Sequence, residues 1–152
     1  MKKASWLLLG AIFAMSAHAN DISEKQKSVM TKLMEDYAAQ DKAVAERTKR
    51  PQIKVSEFSA ETGKQLFMKT RNWEGEEAPS CSACHTEDPR QIGKHKASKK
   101  VIKPLAPVAN SDRFTNVEKV ETNFGKHCRE IYSRDCDPAE KGHYLAYLMS
   151  VR

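Results

Sequence analysis

Apolar positions along the first forty residues fall into two patterns. Trp6 to Met15 is an unbroken apolar run behind Lys2 and Lys3 and ahead of Ala17-His18-Ala19. That basic, apolar, small-residue order predicts a secretory signal spanning residues 1–19, cleaved after Ala19, and the run is too short for a membrane span. From Ile22 the pattern becomes periodic: Ile22, Val29, Met30, Leu33, Met34 and Tyr37 form a stripe with charged residues between them. This predicts an amphipathic helix over 22–40. Residues 41–57 are mostly polar, contain Pro51 and show no sustained period, so an extended connector is expected there.

The core is expected over 58–152. Ser59 can cap a second helix through Gly63, Leu66 and Phe67, which ends before 72–79, where Gly75 and Pro79 break any period. Residues 86–110 contain Pro89, Gly93, Pro104 and Pro107 and predict turns, a long loop for so small a domain. Thr115 and Glu118 match a capping box ahead of Val117, Val120, Phe124 and His127, spaced by three and four. Asp137, Pro138 and Glu140 start a last helix carrying Tyr144, Leu145, Tyr147, Leu148 and Val151. With no strand-like alternation, the expected class is all-α, in one domain of 20–152.

Charge narrows the partners only in combination with location. The formal net charge is +6 and drops to +4 once Lys2 and Lys3 leave with the signal. An exported, periplasmic protein meets little nucleic acid, and after cleavage no membrane span is expected. Lys94, Lys96, Lys99, Lys100 and Lys103 then suit either an acidic redox partner or a solvated loop.

Cys81-Ser82-Ala83-Cys84-His85 is the motif that carries chemistry. In Cys-x-x-Cys-His two thiols bond the vinyl groups of a haem and the histidine binds its iron. A thioredoxin-like pair would need a strand-helix-strand setting, and half a zinc site would need a second ligand pair; Cys128 and Cys136 fit that poorly. One covalently bound haem c on Cys81 and Cys84, with His85 as proximal iron ligand, is the expectation. For the distal ligand there is no methionine between Met68 and Met149, which leaves His95, His127 and His143. His127 is favoured because it lies on an apolar helix face, where a buried imidazole needs a partner. Cys128 and Cys136, the remaining even pair in an oxidising compartment, are expected to form a disulfide, with a redox-active pair as the alternative.

The haem motif, Pro-Leu-Ala-Pro at 104–107, Arg113-Phe114-Thr115, Lys126-His127-Cys128 and Asp135-Cys136 resemble the cytochrome c″ family and the related oxygen-binding sphaeroides haem protein. The likeness runs from about Glu57 to the C-terminus. It implies a class I cytochrome c core around one haem with an extra N-terminal helix, in which Gly63 allows close approach of Tyr147. It also implies that His127, the residue before the first disulfide cysteine, is a distal ligand released on reduction. The sphaeroides haem protein has asparagine there, a departure that favours the bis-histidine pattern for this chain. The implied partners are a dihaem cytochrome c or a membrane b-type cytochrome. Electron transfer coupled to proton uptake is therefore the leading expectation. Binding or sensing of oxygen, nitric oxide or carbon monoxide is the alternative, and a haem enzyme lacks a recognisable distal acid-base pair.

Overall fold

The computed structural model describes residues 21–73 and 76–152. The expected signal peptide lies outside the described residues. Helix α1 runs Glu24–Thr48, opened by a capping box in which the Ser23 side chain accepts from the Gln26 N–H. Gln26, 1 % exposed, also reaches across the molecule to the carbonyls of Pro107 (3.2 Å), Asn110 (3.1 Å) and Arg113 (2.9 Å). One buried amide thus ties the N-terminal helix to the segment that precedes α4, since a buried amide without partners would be costly.

Helix α1 ends eight residues later than the hydropathy stripe predicts. Ala38, Asp41 and Ala45 continue its buried face, and these small or charged residues carry no hydropathy signal. Asp41 is fully buried and accepts from Arg50 (2.5 and 2.8 Å) and from the Ile53 N–H (2.9 Å). The Arg50 guanidinium holds the Asp41 carboxyl below the usual carboxylate range. The expected connector therefore begins only after Lys49, whose φ of 55° closes the helix. It is folded back onto α1, with Gln52 donating to the Ala38 carbonyl at 2.6 Å.

After a 3₁₀ turn at Val55–Glu57, Ser59 caps helix α2 (Ala60–Met68), as its sequence predicts. Two three-residue strands follow, β1 (Arg71–Trp73) and β2 (Glu76–Ala78), antiparallel with Asn72 opposite Glu77. A second ladder joins β3 (Gly93–Lys94) to β4 (Val101–Ile102). Neither was expected, because strands of two or three residues are too short to display alternation. The remaining regular elements among the described residues are helical: α3 (Ser82–His85), a 3₁₀ turn at Pro107–Ala109, α4 (Val117–Tyr132) and α5 (Pro138–Ser150). The cap of α4 is Asn116, whose side chain accepts from the Lys119 N–H; Thr115 instead donates to the Asp112 carbonyl. The proposed Thr115 capping box is thus one residue out of register.

Packing of α2 on α5 centres on Gly63. A Cβ there would lie 2.0 Å from the His143 carbonyl oxygen and 2.8 Å from the Tyr147 Cβ, so only glycine permits the crossing. Phe67 and Tyr147 stack beside it with centroids 5.5 Å apart. Met30, Leu33 and Tyr37 of α1 complete the core with Leu145 and Leu148 of α5.

Candidate functional site

Between α3, α4, α5 and the loop preceding α4 lies a cleft with 1210 Å³ free of protein atoms, its mouth included. Cys81, Cys84, His85 and His127 all line it. Helix α3 is a single turn that places positions 81, 84 and 85 on one side, because residues three and four apart share a helix face. His85 donates its backbone N–H to the Cys81 carbonyl at 3.0 Å. Behind it Thr86 adopts φ 62°, rare for a β-branched residue, and its hydroxyl donates to the Asp88 carbonyl at 2.6 Å. Gly93 fixes this turn from outside: a Cβ would fall 2.1 Å from the Cys84 carbonyl oxygen.

His85 is held neutral, its pKa lowered to about 4, first by burial and then by the nearby charges of Arg113 and His127. A neutral imidazole is the form that donates to a metal. His127 sits nearby on α4, with ring centroids 6.3 Å apart and planes at 87°. With metal–nitrogen bonds of ~2.0 Å and a ring radius of roughly 1.2 Å, two imidazoles on opposite sides of one ion would have centroids roughly 6.4 Å apart. The observed separation therefore leaves room for one ion between the two rings. His127 is not buried as expected: its side chain is 44 % exposed, and its Nδ1 lies 3.4 Å from Glu130 Oε2.

The other histidines have different surroundings. His143 lies on α5 and accepts from the Ser59 N–H at 2.8 Å, so it serves the α2 cap. His95 lines the cleft mouth, with Nδ1 accepting from the Ser98 N–H (3.1 Å) and Nε2 3.6 Å from Glu130. Cys128 and Cys136 form a disulfide with Cα atoms 5.5 Å apart. Among the described residues no three His, Cys, Asp or Glu side chains converge to cage a metal ion, so the zinc alternative gains no second ligand set.

Sequence reading missed several residues of the cleft. The hydroxyls of Tyr132 and Tyr144 share a hydrogen bond, each also lies within reach of the Leu66 carbonyl (3.3 and 3.1 Å), and the Cys81 thiol lies 3.6 Å from the Tyr144 hydroxyl. Burial pushes the Tyr144 hydroxyl and the Cys81 thiol up. Arg113 donates to the carbonyls of Lys103 (3.0 Å) and Pro104 (3.1 Å) and puts a cation on the cleft wall. Arg113 stands in one of the stretches that carry the resemblance and Tyr144 in the predicted last helix, but neither is read there as lining a site, whereas Glu130 has a local signal in its i,i+3 spacing from His127. An apolar cleft with two thiols at one edge, a neutral histidine beside them and a cation at the wall fits haem c.

Comparison with known proteins points the same way. Residues 53–148 match the family described as Domain of unknown function (DUF1924). Cytochrome c″ of Methylophilus methylotrophus is 45 % identical over 89 residues, which span 58 % of this chain and 61 % of that protein. The cytochrome c-type protein SHP of Cereibacter sphaeroides is 36 % identical over 143 residues, 94 % of this chain and 95 % of its own. Among solved structures, oxidised M. methylotrophus cytochrome c″ superposes with a TM-score of 0.66 at 33 % identity, covering 82 % of this chain and 96 % of the other. Oxidised SHP, described as an oxygen-binding cytochrome c, gives 0.62 at 34 %, covering 84 % and 96 %. A solution structure of M. methylotrophus cytochrome c″ concerned with haem-ligand detachment gives 0.62 at 34 %, covering 81 % and 94 %.

Proposed function

This chain belongs to the family of cytochrome c″ and SHP, monohaem c-type cytochromes, and on that premise we propose that it is a periplasmic electron carrier with a distal ligand that detaches on reduction. In this reading Cys81 and Cys84 hold the haem c covalently. His85 and His127 would hold the iron in the oxidised protein, and His127 would be the ligand released on reduction. The haem, when bound, supplies a one-electron Fe(III)/Fe(II) couple.

The observation that carries the reading is the 6.3 Å separation of the His85 and His127 rings beside two thiols in one cleft. The two histidines are held unequally. His85 follows directly on the thiol pair in a turn braced by Gly93, whereas the exposed His127 ring is restrained by Glu130 on its own helix. His127 can therefore swing outward and keep that carboxylate, which would stabilise the imidazolium. An iron-bound ring nitrogen cannot take a proton and a released one can, so reduction draws in a proton at His127.

This coupling sets the sign of the pH dependence. The reduced protein binds the extra proton, so the potential falls as pH rises, by at most ~59 mV per unit for one electron and one proton. Spectroelectrochemical titration from about pH 5 to pH 8 tests this. A potential independent of pH would remove the proton coupling, and low-spin spectra in both redox states would remove the detachment.

Gas binding is the second reading, favoured by the likeness to the oxygen-binding SHP. The space vacated by His127 would admit oxygen, nitric oxide or carbon monoxide. Stoichiometric gas uptake with slow electron exchange would select this role; rapid exchange with a dihaem cytochrome c or a membrane b-type cytochrome would select the carrier.

A further inference from the structure

The ladder β3–β4 has two unlike sides. Gly93 pairs with Ile102 and Lys94 with Val101, and side chains alternate along each strand. Gly93 is buried against the Cys84 carbonyl and Ile102 is half-buried. Ile92, Lys94, Val101 and Lys103 consequently share the outer side, and all four are exposed. Ile92 and Val101, at 65 % and 74 %, are the most exposed large apolar side chains among the described residues.

Lysines surround that apolar pair. Lys94, Lys96, Lys99, Lys100 and Lys103 fall within one ten-residue stretch that contains no acidic residue. Among the described residues only Lys103 of these meets a carboxylate, Asp112 at 3.8 Å. The ribbon is also joined to the haem motif: the Lys96 N–H lies 3.4 Å from the Cys84 sulfur, and His95 reaches the cleft mouth. A small apolar centre with a basic rim largely free of carboxylate partners, placed on the outer wall of the cofactor cleft, is the arrangement that speeds encounter with an acidic protein while keeping the contact short-lived.

We propose that the outer side of β3–β4 is a docking surface for an acidic one-electron carrier protein, with Ile92 and Val101 at its centre and Lys94, Lys96, Lys99 and Lys100 at its rim. The inference rests on the carrier reading and specifies the chemistry of its partner. At the contact one electron crosses between the partner's redox centre and this protein's haem, one being oxidised as the other is reduced, and no bond is made there.

Stopped-flow reduction of the ferric holoprotein tests the proposal, with reduced plant-type [2Fe–2S] ferredoxin as the acidic protein probe and an uncharged hydroquinone as a donor that needs no docking. At low salt, Lys94→Glu/Lys100→Glu should slow the ferredoxin reaction about tenfold or more, an effect that shrinks as salt screens the charges. Ile92→Ser/Val101→Ser should slow it several-fold at any salt. Lys42→Glu, an exposed charge on α1, should have less than about a twofold effect, and hydroquinone should reduce every variant at the native rate. Amide NMR signals of residues 92–103 should shift when oxidised ferredoxin is added.

Equal ferredoxin rates for native protein and ribbon variants would overturn the docking surface while the hydroquinone reaction left the carrier reading intact. So would an equal slowing by Lys42→Glu, which would mean general charge attraction, or an equal slowing with hydroquinone, which would mean a disturbed haem site. Binding of the native protein to anionic phospholipid vesicles, lost in the lysine variant while ferredoxin rates stayed unchanged, would reassign the ribbon to a membrane. Failure of the native protein to accept electrons from either donor would remove the carrier reading itself.

Discussion

Replacing Cys128 and Cys136 together by alanine removes a link between residues eight apart in the chain. On the chain-entropy model, closing a loop of that size stabilises the fold by about 2.5 kcal/mol. Both cysteines are buried, at 4 % and 6 % exposure, so the lost sulfur contacts add to that figure. At about 3 to 5 °C per kcal/mol for a domain of this size, the melting temperature of the holoprotein should drop by roughly 8–12 °C in circular dichroism. A second effect follows from position. Cys128 is the residue after His127, and Cys136 directly precedes Asp137, the N-cap of α5. The bond therefore anchors the end of α4 to the start of α5, and its removal frees the turn that carries His127. The oxidised variant should show a larger high-spin fraction than the native protein at the same temperature. An unchanged melting temperature would refute the stability argument, and an unchanged spin state would show that the disulfide does not restrain His127.

Three further variants probe the scaffold and the site. Gly63→Ala puts a Cβ against backbone, which cannot rotate away, so α2 and α5 must separate at a cost of about 2–3 kcal/mol in urea unfolding; a native midpoint would refute the close crossing. Asp41→Asn should cost about 2–4 kcal/mol at pH 7. Because Arg50 depresses the Asp41 carboxyl, its stabilisation is present above the usual carboxylate range and is lost as pH falls through the depressed native value, so the two proteins should converge in acid. A difference that persisted in strong acid would contradict this. Glu130→Gln keeps a hydrogen-bonding group but removes the charge beside His127; it should weaken His127 ligation up to about tenfold, read as added high-spin ferric signal in optical spectra.

The sequence was legible where one residue type has one dominant physical use. Ser59 and Asp137 cap helices because their side chains accept from backbone N–H groups, and both do so in the structure. The Cys81–His85 motif was readable because its chemistry fixes its spacing, and the even pair of cysteines because few other uses suit it. Features that depend on distant partners were not. Nothing local marks Asp41 as buried, since its burial depends on Arg50 and Ile53 beyond the helix end. The same holds for Gln26, which is defined by three carbonyls more than eighty residues away. The β3–β4 ladder is too short for periodicity, and its meaning comes from Gly93 fitting under Cys84. His127 shows the limit most clearly: helical spacing placed it on the face that lines the cleft, but only the fold reveals a ring half open to solvent and paired with Glu130.

The central claim is that His127 is an iron ligand in the oxidised protein and is released on reduction. Optical and electron paramagnetic resonance spectra of the native protein and His127→Ala, each oxidised and dithionite-reduced, test it most directly. The account predicts a low-spin ferric native protein that turns high-spin on reduction, and a variant that is high-spin in both states. Low-spin spectra from both states of the variant would take His127 off the iron and contradict the account.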